Sequence, residues 1–450
     1  MTKKPDHIAA LLKEVDNKGV SLNRDGLRRR ALRSSYWEGS LYSLMIATVE
    51  HFALIFAVSR NLSTAEIGLL TTGPLLLGAI ANLFIPGQVR QRSLKGWLIL
   101  FVSIQSLGAL GLFWVSMSTP ARIFEWIFVC LTCYWLGGLV ASPLWIDWMS
   151  GWLPQERLGR FFSRRTSWIS LTTLFCTLVA AWTSEFLTSG PLFFALMFAV
   201  GFAARICALG FLATRPSPPR QRQNYLADKV SWAQMLAALQ SSVGVPALLI
   251  IASTIALRFV ANIASPYFLP YMMRDLSFST STLIIIQSLT YVSTFLFMSS
   301  YAESIRKYSL TTATQVAFYG IALSSTGWLF FVSPAALGIV QFFNGIFWSG
   351  LDLCLILWIQ QVIPNAARRL MGIYVALCQI AAVLGSLLGA QLIDGAHLTS
   401  SELIEVSIGL RWIVAIALTL IVSARLSQET SFDQSSRFLL RLFIPKLFRF

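Results

Sequence analysis

Polar and apolar positions in this chain are not interleaved; they come in blocks. Apolar runs of about 20 residues fall at about 36–58, 64–86, 96–118, 122–149, 165–186, 190–213, 246–271, 279–301, 308–331, 334–362, 369–391 and 404–426. A helix of that length rises about 30 Å, the thickness of a bilayer's hydrocarbon core. Lipid offers the backbone no hydrogen-bond partner, so each run is expected to be helical. The pattern predicts an all-α polytopic membrane protein with twelve transmembrane helices.

The polar blocks divide the chain. TRPSPPRQRQNYLADKVSWAQ, from Thr214, is the longest interior polar stretch and leaves six runs on each side. The expected layout is a basic N-terminal segment 1–35, a six-helix bundle 36–213 and a linker 214–245. A second bundle, 246–426, and a basic amphipathic tail, 427–450, complete it.

Composition agrees: 56% of residues are hydrophobic and only 12% charged, against about 25% charged in soluble domains. Of 35 Lys and Arg, three fall on one side of the runs (Arg60, Arg122, Arg274) and three inside them (Arg205, Arg258, Arg411). The remainder lie on the side of both termini. This asymmetry predicts cytoplasmic termini. The net charge of +15 therefore reads as topology and attraction to anionic lipid, not nucleic-acid binding. The polar N-terminal segment lacks the short apolar stretch and cleavage site of a signal peptide. Ile8, Leu11, Leu12 and Val15 have the spacing of a short surface helix. Compact loops suggest a bacterial inner membrane.

The six cysteines (130, 133, 176, 207, 354 and 378) all lie inside runs, and the Cys130–Cys133 pair has no companion His or second pair. No metal or cofactor is expected. No nucleophile–base set or phosphate-binding glycine loop stands out, so an enzyme is not expected either.

Several loops recur. SGWLPQERLGRFF, from Ser150, is echoed by IQQVIPNAARRLM, from Ile359, their prolines 210 residues apart. NLSTAEIGLL, from Asn61, is echoed by DLSFSTSTLI, from Asp275, and PGQVRQRSLKG, from Pro86, by YAESIRKYSL, from Tyr301. Three loops in one order at nearly one offset indicate a six-plus-six repeat.

On these features the chain resembles the major facilitator superfamily of secondary transporters. The resemblance implies two pseudo-twofold six-helix bundles that rock about a central cavity lined by spans one, four, seven and ten. The loop after span two keeps Gly87, Arg90 and Arg92 of the family pattern but lacks its acid. In the second copy Glu303, Arg306 and Lys307 stand near the acid and the basic pair. The Gly-Pro-Gly-rich run of drug/proton antiporters is absent from SWISLTTLFCTLVAAW in span five.

Chemistry is sought where charge is expensive, since a charge at mid-bilayer costs about 2.5–3.5 kcal/mol on insertion scales. Glu50 and His51 lie on span one, Arg258 on span seven and Asp352 on span ten. Glu50, Asp352 and His51 are candidate proton carriers, His51 because free imidazole titrates near neutrality. Oil favours a neutral carboxyl and a nearby cation favours the charged form, so Arg258 can link proton to substrate. Arg258 is the candidate substrate anchor, with Asn262, Tyr134, Trp135, Gln341, Asn344 and Trp348 as further lining residues.

A cytoplasmic gate is expected where Asp147 could pair with Arg157, Arg160 or Arg164, with Arg368 and Arg369 at the matching hairpin. Arg205 and Arg411 can snorkel to the membrane surface. Trp145, Trp148 and Trp152 suit the interfacial belt, Gly385 and Gly389 suit close helix packing, and the tail suits attachment to anionic lipid. The reading is a monomeric, ion-coupled transporter of a small or amphipathic solute, Arg258 hinting at an anionic group. A non-transporting receptor or scaffold on the same fold is the alternative.

Overall fold

A computed structural model describes residues 26–62, 64–89, 93–118, 120–186, 191–215, 217–218, 237, 239–241, 244–268, 271–278, 280–362, 367–425 and 432–443. The Ile8–Val15 stretch, most of the linker, Arg90, Arg92 and Pro364 lie outside them.

Every described element is helical. Helix α1 starts at Gly26, is interrupted by one π-turn at Ile46–Glu50 and resumes as His51–Ser59. Then come α2 (Thr64–Gln88), α3 (Leu94–Ser118), α4 (Ile123–Ser150), α5 (Gln155–Phe186) and α6 (Pro191–Thr214). The second half has α7 (Gly244–Ala264), α8 (Thr280–Lys307), α9 (Leu310–Phe330), α10 (Pro334–Val362), α11 (Ala367–Ala396) and α12 (Ser400–Arg425). A short α13 (Phe432–Phe443) follows. Among the described residues, nine of these helices are long and apolar enough to cross a membrane, and α5, α8 and α9 complete the twelve spans. These three are rich in Ser and Thr, whose hydroxyls return to their own helix, as from Thr173 to Ile169 O (2.9 Å) and Thr294 to Thr290 O (2.9 Å). A hydroxyl satisfied in this way can sit in oil.

Helices α1 and α5 begin about ten residues before their apolar runs. Hydropathy marks where oil begins, whereas the helix continues into the polar zone. The end of the molecule that carries Arg28–Arg33, Asp147, Arg306 and Arg368 is called the basic end below.

Large apolar side chains such as Phe84, Trp182, Leu323 and Leu420 face outward, as lipid-bathed helices require. Small residues let helices approach closely. A Cβ at Gly385 or Gly389 would run into the carbonyl oxygens of Phe259 and Ile263, so α7 and α11 pack backbone to backbone there. The halves meet through α2 against α11 and α5 against α8. Asn61 (φ 58°) and Ser277 (φ 56°) put the same left-handed kink into the corresponding loops after α1 and α7. Thr399 and Glu402 form a capping box at the start of α12, with Glu402 accepting from Thr399 N at 2.8 Å.

The tail does not lie apart on a lipid surface where it is described. Helix α13 packs on α8 and α9, with Phe438 and Leu442 fully buried and the Phe438 ring edge-on to Tyr301 (5.3 Å). Its amphipathic face found a protein groove before a membrane.

Candidate central site and gate

The π-turn of α1 gives the first element of the site. One extra residue in the turn leaves the Ile46 carbonyl facing His51, whose Nδ1 lies 3.2 Å away. Single π-turns inside α-helices recur at functional sites. Glu50, the last residue of the turn, is half-buried and accepts a hydrogen bond from Tyr134 Oη on α4 (2.8 Å). Tyr134 is itself buried and stands edge-on to Trp135 (5.6 Å). Tyr291 of α8 in the other half lies within electrostatic range of Glu50. His51 is exposed and does not join this group.

The second half holds an ion pair. Arg258 Nη2 of α7 donates to Asp352 Oδ1 of α10 at 2.5 Å, and the guanidinium lies over the Trp348 ring (4.4 Å). Tyr374 and Cys378 of α11 face the same cation. The Asp352 side chain is 53% exposed although it sits well within α10. Glu50, Arg258 and Asp352 are thus each engaged by a side chain of a neighbouring helix.

Three expected lining residues are engaged in hydrogen bonds within the helices. Asn344 is buried, its amide oxygen taking Ser324 Oγ of α9 (2.8 Å) and its nitrogen reaching Gln341 Oε1 (3.3 Å). Eight residues of helix turn Asn344 about 80° away from Asp352. Gln341 is occupied by Asn344 in turn. Asn262 spends its Nδ2 on the Arg258 carbonyl of its own helix (2.8 Å).

The gate differs from the expected one in its partner. Asp147 pairs with Arg368 of the other half (3.0 Å), not with Arg157, Arg160 or Arg164, which are exposed on α5. Arg368 also donates from Nε to Pro86 O (2.9 Å) and from Nη2 to Val89 O. One guanidinium therefore ties the starts and ends of three helices, α11 to α2 and α4. Arg369 packs its stem on Gly87, and Gln155 Nε2 donates to Gln360 O (3.1 Å). At the basic end the halves are shut.

Sequence reasoning missed a further charged group. Glu38 of α1 is buried and pairs with Arg165 (2.9 Å) and Arg205 (3.7 Å). Arg205 turns inward instead of snorkelling. Glu38 and Arg205 lie at similar depth on neighbouring helices with opposite charge, and that match was the available signal. Arg411 is likewise buried, held by Ser325 Oγ and the Ala261 carbonyl.

Twelve spans in two sixes, closed on each other at one end around inward-facing charges, define a secondary-transporter architecture. The sequence matches the family model of the Major Facilitator Superfamily over residues 39–386, and the chain belongs to that family. Its fold is similar to the proton:xylose symporter XylE bound to 6-bromo-6-deoxy-D-glucose, at TM-score 0.62, 16% identity, and 89% and 96% of the two chains covered. It is also similar to the transporter FucP in its outward conformation, at 0.62 and 12%, covering 86% and 98%. A bacterial homologue of the iron transporter ferroportin in an outward-facing state gives 0.61 and 14%, covering 88% and 99%. Among curated proteins none matches the chain in sequence.

Proposed function

We propose that this transporter moves a small or amphipathic solute by alternating access, driven by protons, in a bacterial inner membrane with the basic end and both termini cytoplasmic. The observation that carries this reading is Glu50. It is an acid within a span whose hydrogen-bond partner is a neutral phenol, with no cation paired to it among the described residues. Such a carboxyl can give and take a proton without breaking a salt bridge, and it can do so as access alternates. Asp352 is the opposite case, because its carboxylate is paired with the Arg258 guanidinium. An anionic group of the solute can compete with Asp352 for Arg258, so solute binding falls on the ion pair and proton coupling on Glu50. The solute's apolar part is matched by Trp348, Tyr134 and Trp135.

The test uses proteoliposomes under an imposed pH gradient with a solute panel. Glu50→Gln should lose uphill accumulation while solute exchange across the membrane continues. Uphill transport at the wild-type level in that variant would refute the coupling role. Absence of any solute-dependent proton flux in the unaltered protein would instead favour a receptor or scaffold.

A further inference from the structure

At the basic end of the first half, α1, α4, α5 and α6 enclose three guanidinium groups and one carboxylate: Arg165, Arg205, Arg215 and Glu38. The carboxylate is spent. Its two oxygens face Arg165 (2.9 Å) and Arg205 (3.7 Å). Arg215 is only 3% exposed. Its Nη1 reaches nothing better than the Met149 thioether at 3.5 Å, a weak acceptor. Its Nε and Nη2, and the Nε of Arg205, have no hydrogen-bond partner.

Three tryptophans carry the same signature. Trp145 lies beneath Arg165 (3.8 Å) and Trp148 beneath Arg215 (5.3 Å). Trp152 follows in the α4–α5 turn, and the Nε1 of all three indoles is buried without a partner. The expected interfacial belt is therefore folded inward.

Every orphan atom named here is a donor. A buried donor without a partner costs about 1–3 kcal/mol, more when charged. Burial pushes the Arg215 guanidinium down to about 10, although Glu38 pulls it up again. Among the described residues, with one acid against three bases, the cluster carries two uncompensated positive charges. What it lacks is a compact group with several acceptor oxygens and negative charge.

We infer that this cluster is a binding site for a phosphate-class oxyanion, either the headgroup of a phospholipid or free phosphate. Guanidinium forks match such oxygens, and basic recesses between spans near a membrane surface take lipid headgroups. Access comes past Arg165, whose side chain is 14% exposed. Lys95 of α3 pins the end of α6 beside the site by donating to the carbonyls of Ala213 and Arg215, both at 2.7 Å.

The test uses the full chain, delipidated in an uncharged detergent, with thermal unfolding as readout. Dioleoylphosphatidylglycerol, dioleoylglycerol and inorganic phosphate are titrated separately. Phosphatidylglycerol, and not the phosphate-free dioleoylglycerol, should stabilise the protein saturably. Loss of a charged hydrogen bond in Arg215→Gln should weaken that apparent affinity about tenfold or more. Trp148→Phe, which keeps the ring, should weaken it about fivefold, and Arg29→Gln/Arg30→Gln at the exposed basic patch should not change it. If Arg215→Gln fails to fold, Arg215→Lys keeps the charge and removes the fork, and should weaken binding as well. Competition by inorganic phosphate assigns the site to the free ion, and its failure to compete assigns it to the lipid. Equal stabilisation by the two lipids, or wild-type affinity in the Arg215 and Trp148 variants, would overturn the inference.

Discussion

The two halves repeat in architecture and differ in how each holds its inward acid. In the first half Glu50 leans on a phenol; in the second Asp352 is clamped by a guanidinium under an indole. The same loops, kinks and helix order therefore carry one acid bonded to a neutral group and one paired with a cation. Rigidity differs as well. Glu50 sits on a π-turn, a local irregularity able to shift register, while Arg258 is on unbroken α-helix. Under the proposed function, the asymmetry of their partners divides the labour between the two acids.

The sharpest way to break that comparison is to exchange the two kinds of partner. Glu50→Gln should abolish proton-driven accumulation outright, as proposed above. Asp352→Asn should be milder in coupling and severe in binding, because it leaves Arg258 uncompensated. A single charged hydrogen bond is worth about 1.5–3 kcal/mol, so the solute's KM should move by about ten- to a hundredfold. Arg258→Gln/Asp352→Asn together should restore thermal stability toward wild type but not transport, since a pair replaced by neutral groups no longer strands a charge. If Glu50→Gln and Asp352→Asn give the same phenotype, the division of labour is wrong.

The gate comes next in size. Arg368→Gln removes an ion pair and carbonyl bonds that cross between the halves. At about 1 kcal/mol each, their loss should shift the equilibrium toward opening at the basic end by about tenfold or more. The increase should register as faster thiol labelling of a cysteine placed at Gly87. Asp147→Asn removes only one of these bonds and should shift it about fivefold. An Asp147 variant as open as the Arg368 variant would mean that the carbonyl bonds contribute nothing.

How much of this was legible beforehand follows from what a sequence encodes locally. Span positions were readable because the oil's thickness imposes them residue by residue, and α10 runs over 334–362 as expected. The π-turn was not readable, since IATVE has nothing in its composition that separates an i→i+5 hydrogen bond from the i→i+4 bond of an α-helix. The choice of Glu50, Arg258 and Asp352 as candidates followed from the cost of charge in lipid. Their partners did not: Tyr134, 84 residues from Glu50, is one of many aromatics, and only the packing of α1 on α4 selects it. Asp147 was looked for beside its nearest arginines in sequence. The closed halves gave it one 221 residues away instead, because the hairpins of the two halves face each other across the interface.

The smallest effect concerns the last element. Helix α13 brings Arg441 to Glu303 of α8 (3.2 Å), both side chains about a third exposed, while Phe438 is buried among Tyr301 and Tyr308. Two forces therefore compete for credit in docking the tail. An exposed ion pair is worth about 0–1 kcal/mol and Glu303 also has Arg306 within 3.9 Å, so the carboxylate is not stranded when Arg441 is lost. A fully buried phenyl ring removed to alanine costs about 3–5 kcal/mol. Arg441→Gln should thus leave protection of α13 amides from hydrogen exchange nearly unchanged, and Phe438→Ala should abolish it. A large loss in Arg441→Gln alone would show that charge, not the buried ring, seats the helix, and that the second half, like the first, is fastened at its basic end by a guanidinium.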